Sequence, residues 1–325
     1  MANKENHADL KKATIHEAAR IAGVSIASVS RALNNKPGIS EKTREKILSI
    51  CKELGYVPSS SARELSGNHT NTIAVSMGPK GKSASRYLGM IWPDLANTLR
   101  IKGKNLLSAE LEDLDTNKLG GVVLLGVEEG DERIEFCKQH EVPYVCIGMV
   151  QGSFWVAPDD FLGARLGVEH LVKKGCSKVP FVTSTHFGGG YRFRYQGYMS
   201  AMAEKGLSIS EIDTGSDPVV EIAAYRHFLS IPKETLEYYD GFICERDETA
   251  IGIVAALKDR GYNIPSSFKV VGYDGLPMIS DDLTTIVQDA RGIAQQVCDL
   301  LEAAIKREPQ RGVLVPVDLR LGKTS

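Results

Sequence analysis

Thr14-Ile-His-Glu-Ala-Ala-Arg-Ile-Ala-Gly-Val-Ser-Ile-Ala-Ser-Val-Ser-Arg-Ala-Leu-Asn34 is the stretch that decides the reading of this chain. Apolar or small residues recur at Ile15, Ala18, Ala19 and Ala22, which is helical spacing. Gly23 breaks the pattern, and a tight turn between helices needs a residue that tolerates positive φ. Ser25 follows as an N-cap, and Ile26 to Leu33 supply a second short helix. Ala19 is small where the helices must cross closely, and Val29 and Ala32 can fill the space between them. The pattern predicts a helix-turn-helix, a device that puts one helix into the major groove of DNA. An ordinary helical hairpin in a core is the competing reading.

The following residues bear on that choice. Ser40 to Leu54 predict an amphipathic helix, with Ser40 as N-cap and Ile47, Leu48, Ile50, Cys51 and Leu54 on one face. Gly55 ends it, and Pro58 biases Val57 away from helix. Ser59 to Leu65 is a further short helical candidate, closed by Gly67. The stretches AGVSIASVSRALN, ISEKTREKIL and LGYVPSSSARELSGNHT stand in this order between Thr14 and Thr70. In motif, order and spacing they resemble the headpiece of the lactose-repressor/galactose-repressor (LacI/GalR) family of transcriptional regulators.

Charge distribution agrees with a nucleic-acid partner at one end. The total is -2, but residues 1–70 hold eleven Lys or Arg against seven Asp or Glu, a surplus of four that leaves -6 for the rest. Positive charge placed where phosphates would lie is the expected electrostatic footprint. The N-terminus MANKENHADLKK lacks the apolar core of a secretory signal, and no apolar run approaches membrane-spanning length. The six cysteines, Cys51, Cys137, Cys146, Cys176, Cys244 and Cys298, form no C-x-x-C pair and read as reduced core thiols. A cytoplasmic protein without metal or other cofactor, and with no membrane partner, is expected.

From Thr72 onward, strand and helix alternate. Strands are expected at Thr72–Met77, Gly121–Leu125, Pro143–Gly148, Val179–Thr183, Gly241–Cys244, Lys269–Tyr273 and Val313–Leu319. Helices are expected at Arg133–His140, Gly163–Lys174, Arg194–Lys205, Thr249–Arg260 and Gly292–Arg307. Short apolar strands separated by amphipathic helices imply parallel sheets covered on both faces, an α/β fold. Between Met77 and Gly121 the pattern is less regular. Tyr87–Arg100 is a helix candidate that Pro93 must kink or end, and no second strand is evident.

The resemblance extends through APDDFLGARLGVEHLVKKG, RFRYQGYMSAM, CERDETAIGIVAAL, IPSSFKVVGYDGLP and LTTIVQD. It implies a helix-turn-helix headpiece (residues 1–58) and a hinge helix and linker (59–70). It also implies a core (71–325) of two Rossmann-like subdomains of periplasmic-binding-protein type. The N-subdomain would take about 71–158 and 288–313, and the C-subdomain about 159–287 and 314–325. A sequence-specific DNA-binding regulator is expected, a repressor of carbohydrate-metabolism genes acting as a homodimer or tetramer on double-stranded operator DNA. The alternatives are a ligand-binding protein without DNA function and a nucleobase-responsive, corepressed regulator.

The resemblance also assigns residues. Bases would be read by Ile26, Ala27 and Arg31, the arginine being suited to a guanine O6/N7 pair. Thr14, Ser25, Ser28 and Asn34 would hold phosphates. Leu65, with Ala62 one turn before it, would wedge into the minor groove. A small effector, a sugar or sugar derivative, would lie between the subdomains. Asp274 and Arg194 would contact it, with Asp159 as a weaker candidate. Arg246 stands where many relatives carry Asn or Ser. Together with Arg192 or Arg194 it could favour an anionic effector, or it could simply pair with Glu245, Asp247 or Glu248. Asp247 is expected to cap the helix that follows it. An enzyme reading would use Gly188–Gly190 as a phosphate cradle, but the loop fits neither G-x-G-x-x-G nor a P-loop, and no nucleophile–base pair stands out.

Overall fold

The computed structural model describes residues 14–33, 37–54, 56, 71–78, 85–110, 116–184, 189–215, 219–277, 279 and 282–325. The chain divides into two compact units, Met1–Thr70 and Asn71–Ser325.

In the first unit Thr14 is extended, and its hydroxyl accepts from the Glu17 N–H at 3.3 Å to start α1 (Ile15–Ala22). Gly23 ends that helix at φ 70°, a left-handed conformation that a side chain would strain. α2 (Ile26–Leu33) follows, and α3 (Glu41–Glu53) is capped by Ser40, which accepts from the Thr43 N–H at 3.2 Å. Their core is Ala18, Ala19, Ala22, Val29, Ala32, Ile47, Cys51 and Tyr56. The alanines let α1 and α2 approach while Ile47 fills the centre. α3 also satisfies helix-end carbonyls: Lys46 Nζ donates to Ala22 O at 3.1 Å, and Arg44 Nη1 to Arg31 O at 3.3 Å.

The second unit alternates strand and helix. In its first half come β1 (Thr72–Ser76), α4 (Ser85–Ile101), β2 (Asn105–Ser108), β3 (Gly121–Leu125), α5 (Glu132–Gln139), β4 (Tyr144–Ile147) and β5 (Trp155–Pro158). Next are α6 (Asp160–Lys173), β6 (Phe181–Thr183), α7 (Gly189–Glu204), β7 (Glu211–Asp213), α8 (Val220–Ser230) and α9 (Lys233–Leu236). β8 (Gly241–Cys244), α10 (Asp247–Asp259), β9 (Lys269–Asp274), β10 (Thr284–Gln288), α11 (Ala290–Ile305), β11 (Gly312–Val315) and β12 (Val317–Arg320) complete it. One sheet has the order β11-β5-β4-β3-β1-β2 and is parallel throughout. The other runs β12-β10-β9-β8-β6-β7 and is parallel except where β12 meets β10. The chain passes between the two halves after β5, after β10 and between β11 and β12. β3, β4 and β8 are buried along their whole length, as expected for parallel strands covered on both faces.

Three sequence expectations are corrected. The run Val313–Leu319 is not one strand. Pro316 lacks an N–H for a ladder, and the chain leaves one sheet at Val315 and enters the other at Val317. Pro93 neither ends nor bounds its helix, which continues from Ser85 to Ile101. Pro93 and Gly89, whose carbonyl the proline leaves without its helical donor, are both exposed, so water can serve that carbonyl. The missing second strand is β2, NLLS, a four-residue edge strand paired only with β1 and largely exposed. Strands β5, β7 and β10 and helices α8 and α9 are additions to the expected set. All six cysteines are buried and none is in a disulfide.

Candidate functional site

In the first unit, α2 presents two faces. Val29 and Ala32 are buried, while Ile26, Ala27 and Arg31 are exposed, Ile26 to 41%. Exposed apolar surface at the start of a short helix, beside an exposed arginine, is a surface shaped for a partner. Ser25 Oγ accepts from the Ser28 N–H at 3.1 Å and lies 3.0 Å from Ser28 Oγ. Thr14 and Ser25 thus present hydroxyls at the N-terminal ends of α1 and α2, where anions bind well. Asn34, Ala62 and Leu65, the remaining sequence candidates, lie outside the described residues.

In the second unit a cleft of about 220 Å³ opens between the carboxyl ends of the two sheets. Gly126, Gly148 and Pro158 line it from one side, and Arg194, Arg246, Glu248 and Asp274 from the other. Arg194, carried by α7, is the hub. Its Nε donates to Asp160 Oδ1 at 2.8 Å and its Nη2 to Asp274 Oδ1 at 2.9 Å. Nη1 donates to the Glu245 carbonyl. The guanidinium lies 3.8 Å above the ring centre of Tyr273. Gln288 Nε2 adds a second donor to Asp274 Oδ1 at 2.6 Å. Asp274 sits at φ 106°, strained for a residue with a Cβ, and it is this network that holds it there. Burial pushes the Asp274 carboxyl up to about 7, against the pull of Arg194, and burial raises Asp160 likewise.

The ring below Arg194 depends on Gly163 in α6. A Cβ at that position would stand 2.1 Å from the Tyr273 phenol oxygen. Gly163→Ala is therefore expected to displace Tyr273 and cost about 1–3 kcal/mol through overpacking. Urea denaturation checks this, and an unchanged midpoint refutes it.

Three further expectations meet the geometry differently. Asp159 faces its own helix, with Oδ1 accepting from the Leu162 N–H at 2.9 Å as N-cap of α6. Its neighbour Asp160 is the cleft carboxylate. Asp247 is not the cap of α10. That position is Arg246, with no side-chain cap bond, and Asp247 turns inward to Thr285 and Leu276. Nor do the arginines form an unneutralised pair. Arg192 is exposed and off the cleft, the Arg194 head is shared between two carboxylates, and Arg246 Nε lies 3.1 Å from Glu245 Oε1. The described lining holds five carboxylates, Glu128, Asp160, Glu245, Glu248 and Asp274, against two guanidinium groups. Asp160, Tyr273, Gln288, Glu245, Glu248 and Tyr87 were not singled out for the cleft by sequence reasoning. The Asp-Asp pair at 159–160 carried a signal for the first, but it was ambiguous by one residue.

Comparison with known proteins fits these two sites. The model of "Bacterial regulatory proteins, lacI family" matches residues 14–59, and the model of a "Periplasmic binding protein-like domain" matches residues 168–325. The chain belongs to the LacI/GalR family. It is 26% identical over 329 residues to catabolite control protein A of Priestia megaterium, covering 95% of this chain and 97% of the relative. The ribose operon repressor of Escherichia coli (strain K12) is 28% identical over 340 residues, 95% of this chain and 99% of its own. Among solved structures, the lac repressor dimer bound to operator and the anti-inducer ONPF has a TM-score of 0.66 at 23% identity. It covers 97% of this chain and 99% of that one, a likeness of fold. Membership of this family makes the protein a DNA-binding transcriptional regulator rather than an enzyme.

Proposed function

We propose that the protein is a repressor that binds a near-palindromic operator as a homodimer and is controlled by a polyhydroxylated, sugar-like effector in the cleft. The observation that carries this reading is the occurrence, in one chain, of an exposed recognition face on α2 and a cleft floored by the Arg194–Asp274–Gln288 network. One recognition helix per chain calls for two-fold related half-sites. Carboxylate and guanidinium groups held in fixed positions suit the hydroxyls of a sugar, each group offering a defined acceptor or donor. The names of the relatives point the same way, since one is the repressor of a ribose operon. Because the cleft carboxylates outnumber its arginines, a neutral or cationic effector fits better than the anionic one that Arg246 suggested.

In this reading Ile26 and Ala27 meet thymine methyls and Arg31 chelates a guanine, while Thr14, Ser25 and Ser28 bind phosphates. Arg31→Ala is expected to weaken specific binding by about 1–3 kcal/mol per half-site and leave salt-dependent nonspecific binding mostly intact. A gel-shift titration on the operator found upstream of the regulated genes measures both. Equal affinity of variant and wild type would remove α2 from recognition. Release or tightening of the same complex by added sugars tests the cleft.

A further inference from the structure

Arg86 stands in the first turn of α4, where a cation runs against the helix dipole and no acidic residue of the same turn offsets it. Among the described residues its guanidinium bonds to nothing in its own half of the unit; both ionic partners lie in the other half. Nη2 donates to Glu221 Oε1, in the first turn of α8, and Nη1 lies 4.0 Å from Glu248 Oε1, in the first turn of α10. Arg86 is also the only described cation within 4.0 Å of either carboxylate. The two helices that carry them are pressed together at Gly252, where a Cβ would stand 2.3 Å from the Glu221 carbonyl oxygen. Tyr87, next to Arg86 in the chain, lines the cleft, as does Glu248. The contact therefore joins the two walls at the cleft's edge.

We propose that Arg86 is a positioning residue of the cleft: an ionic clasp that holds the two walls together and parts when an effector enters or leaves. The halves are joined by three chain passages, after β5, after β10 and between β11 and β12, about which they can turn. Turning apart costs no ladder hydrogen bond, because each sheet lies within one half, but it separates Arg86 from both carboxylates. The side chains of Arg86, Glu221 and Glu248 are 41%, 25% and 12% exposed, so the clasp is partly shielded yet still within reach of salt. The clasp is read from the protein alone; only its service to an effector rests on the reading proposed above.

Hydrogen exchange of the full-length protein without ligand, followed by mass spectrometry, tests this. Arg86→Gln is expected to speed exchange about two- to fivefold in the peptides of both cleft walls, residues 125–128 and 245–248, while the buried centre of β9 is unchanged. Glu221→Gln is expected to act in the same direction, and the double variant to match Arg86→Gln alone, since Glu221 acts only through Arg86. Raising NaCl from about 0.05 to about 0.5 M should speed the same peptides in the wild type but not in Arg86→Gln. Equal exchange of wild type and Arg86→Gln at both walls overturns the clasp. Faster exchange confined to the first turn of α4 overturns it too, because Arg86 would then support only its own helix. So do acceleration of β9 by the same factor, a salt response that persists in Arg86→Gln, and a double variant in which the two single effects multiply. Each of these failures leaves the effector reading standing, since no ligand takes part; added sugars in the operator assay judge that reading separately.

Discussion

Arg194→Ala is expected to lower the stability of the second unit by roughly 3–5 kcal/mol, the cost of removing one partner from a buried charge network. The arginine is the only described cation within hydrogen-bonding distance of both Asp160 and Asp274, and it also serves the Glu245 carbonyl and covers the Tyr273 ring. Alanine leaves two desolvated carboxylates facing one another's neighbourhood with no counter-charge. Both are already raised by burial in the wild type, and without Arg194 they rise further. A carboxyl whose folded pKa exceeds its unfolded value stabilises the fold at low pH, and that contribution is lost as pH climbs through the folded value. The variant's deficit should therefore be small near pH 4 and large at pH 8. Arg194→Lys should rescue little, because one ammonium cannot fork to three acceptors and stack on Tyr273 at once. Adding Asp160→Asn and Asp274→Asn to Arg194→Met should recover much of the loss. Denaturation midpoints at the two pH values measure all four proteins. A deficit below 1 kcal/mol at pH 8 would mean that water, not Arg194, satisfies these carboxylates.

The sequence made the layout of this molecule legible wherever local chemistry and tertiary demand coincide. Gly23, Ser25 and Ser40 mark helix ends because a hydroxyl or a left-handed glycine is the local solution to an unsatisfied helix terminus, and each holds its helix end as read. The buried parallel strands were equally plain, since GVVLL has no polar residue to suggest anything else. Legibility failed at edges. β2 carries Asn and Ser and is mostly exposed, and β7, Glu-Ile-Asp, is a three-residue edge strand; neither needs an apolar run because only one neighbour covers it. Pro316 shows the opposite failure: an apolar run whose two halves belong to different sheets, which no periodicity can reveal.

At the cleft, the family pattern pointed to Arg194 and Asp274, and the fold brings them together at 2.9 Å. It did not point to what holds them. Tyr273 precedes Asp274 in the chain and turns to the opposite side of β9, a consequence of strand alternation that becomes a contact only when α7 lies above it. Gln288 is fourteen residues from Asp274 and meets it because β9 and β10 are adjacent in the sheet. Asp159 and Asp160 differ by one position at a helix start, so one closes the helix and the other faces the ligand space. Side chains whose role depends on which strand lies next door are invisible until the sheet order is known.

Asp247 gives the second large effect, and its sign runs against the habit of regarding carboxylates as stabilising at neutral pH. The residue is fully buried at the start of α10 and ties three segments together. Its Oδ1 accepts from Thr285 Oγ1 at 2.5 Å and its Oδ2 from the Leu276 N–H at 2.8 Å. Burial pushes its carboxyl up to about 6; these two bonds pull it down, and the nearby negative charge of Glu248 adds to the rise. In the unfolded chain an aspartate titrates near 3.9. The folded state therefore holds a proton that the unfolded state has released between about pH 4 and pH 6. Over that interval stability falls as pH rises, by about 3 kcal/mol in total for two pKa units, and is flat above it as far as this group is concerned. Asn keeps the geometry: its carbonyl can accept from Leu276 while its amide donates to Thr285 Oγ, which is both donor and acceptor. Asp247→Asn should thus be near or below wild type in stability at pH 4 and gain on it steadily to pH 7, where it equals or exceeds it. Asp160 affects both proteins alike and drops out of the difference, whereas Asp274, raised in part by the charge of Asp247, ionises more easily in the variant and adds to its gain towards pH 7. Urea titrations of both proteins at half-unit pH steps give that difference directly. Parallel curves from pH 4 to pH 7 would show that Asp247 is ionised throughout, its charge carried by the two hydrogen bonds and the amino end of α10.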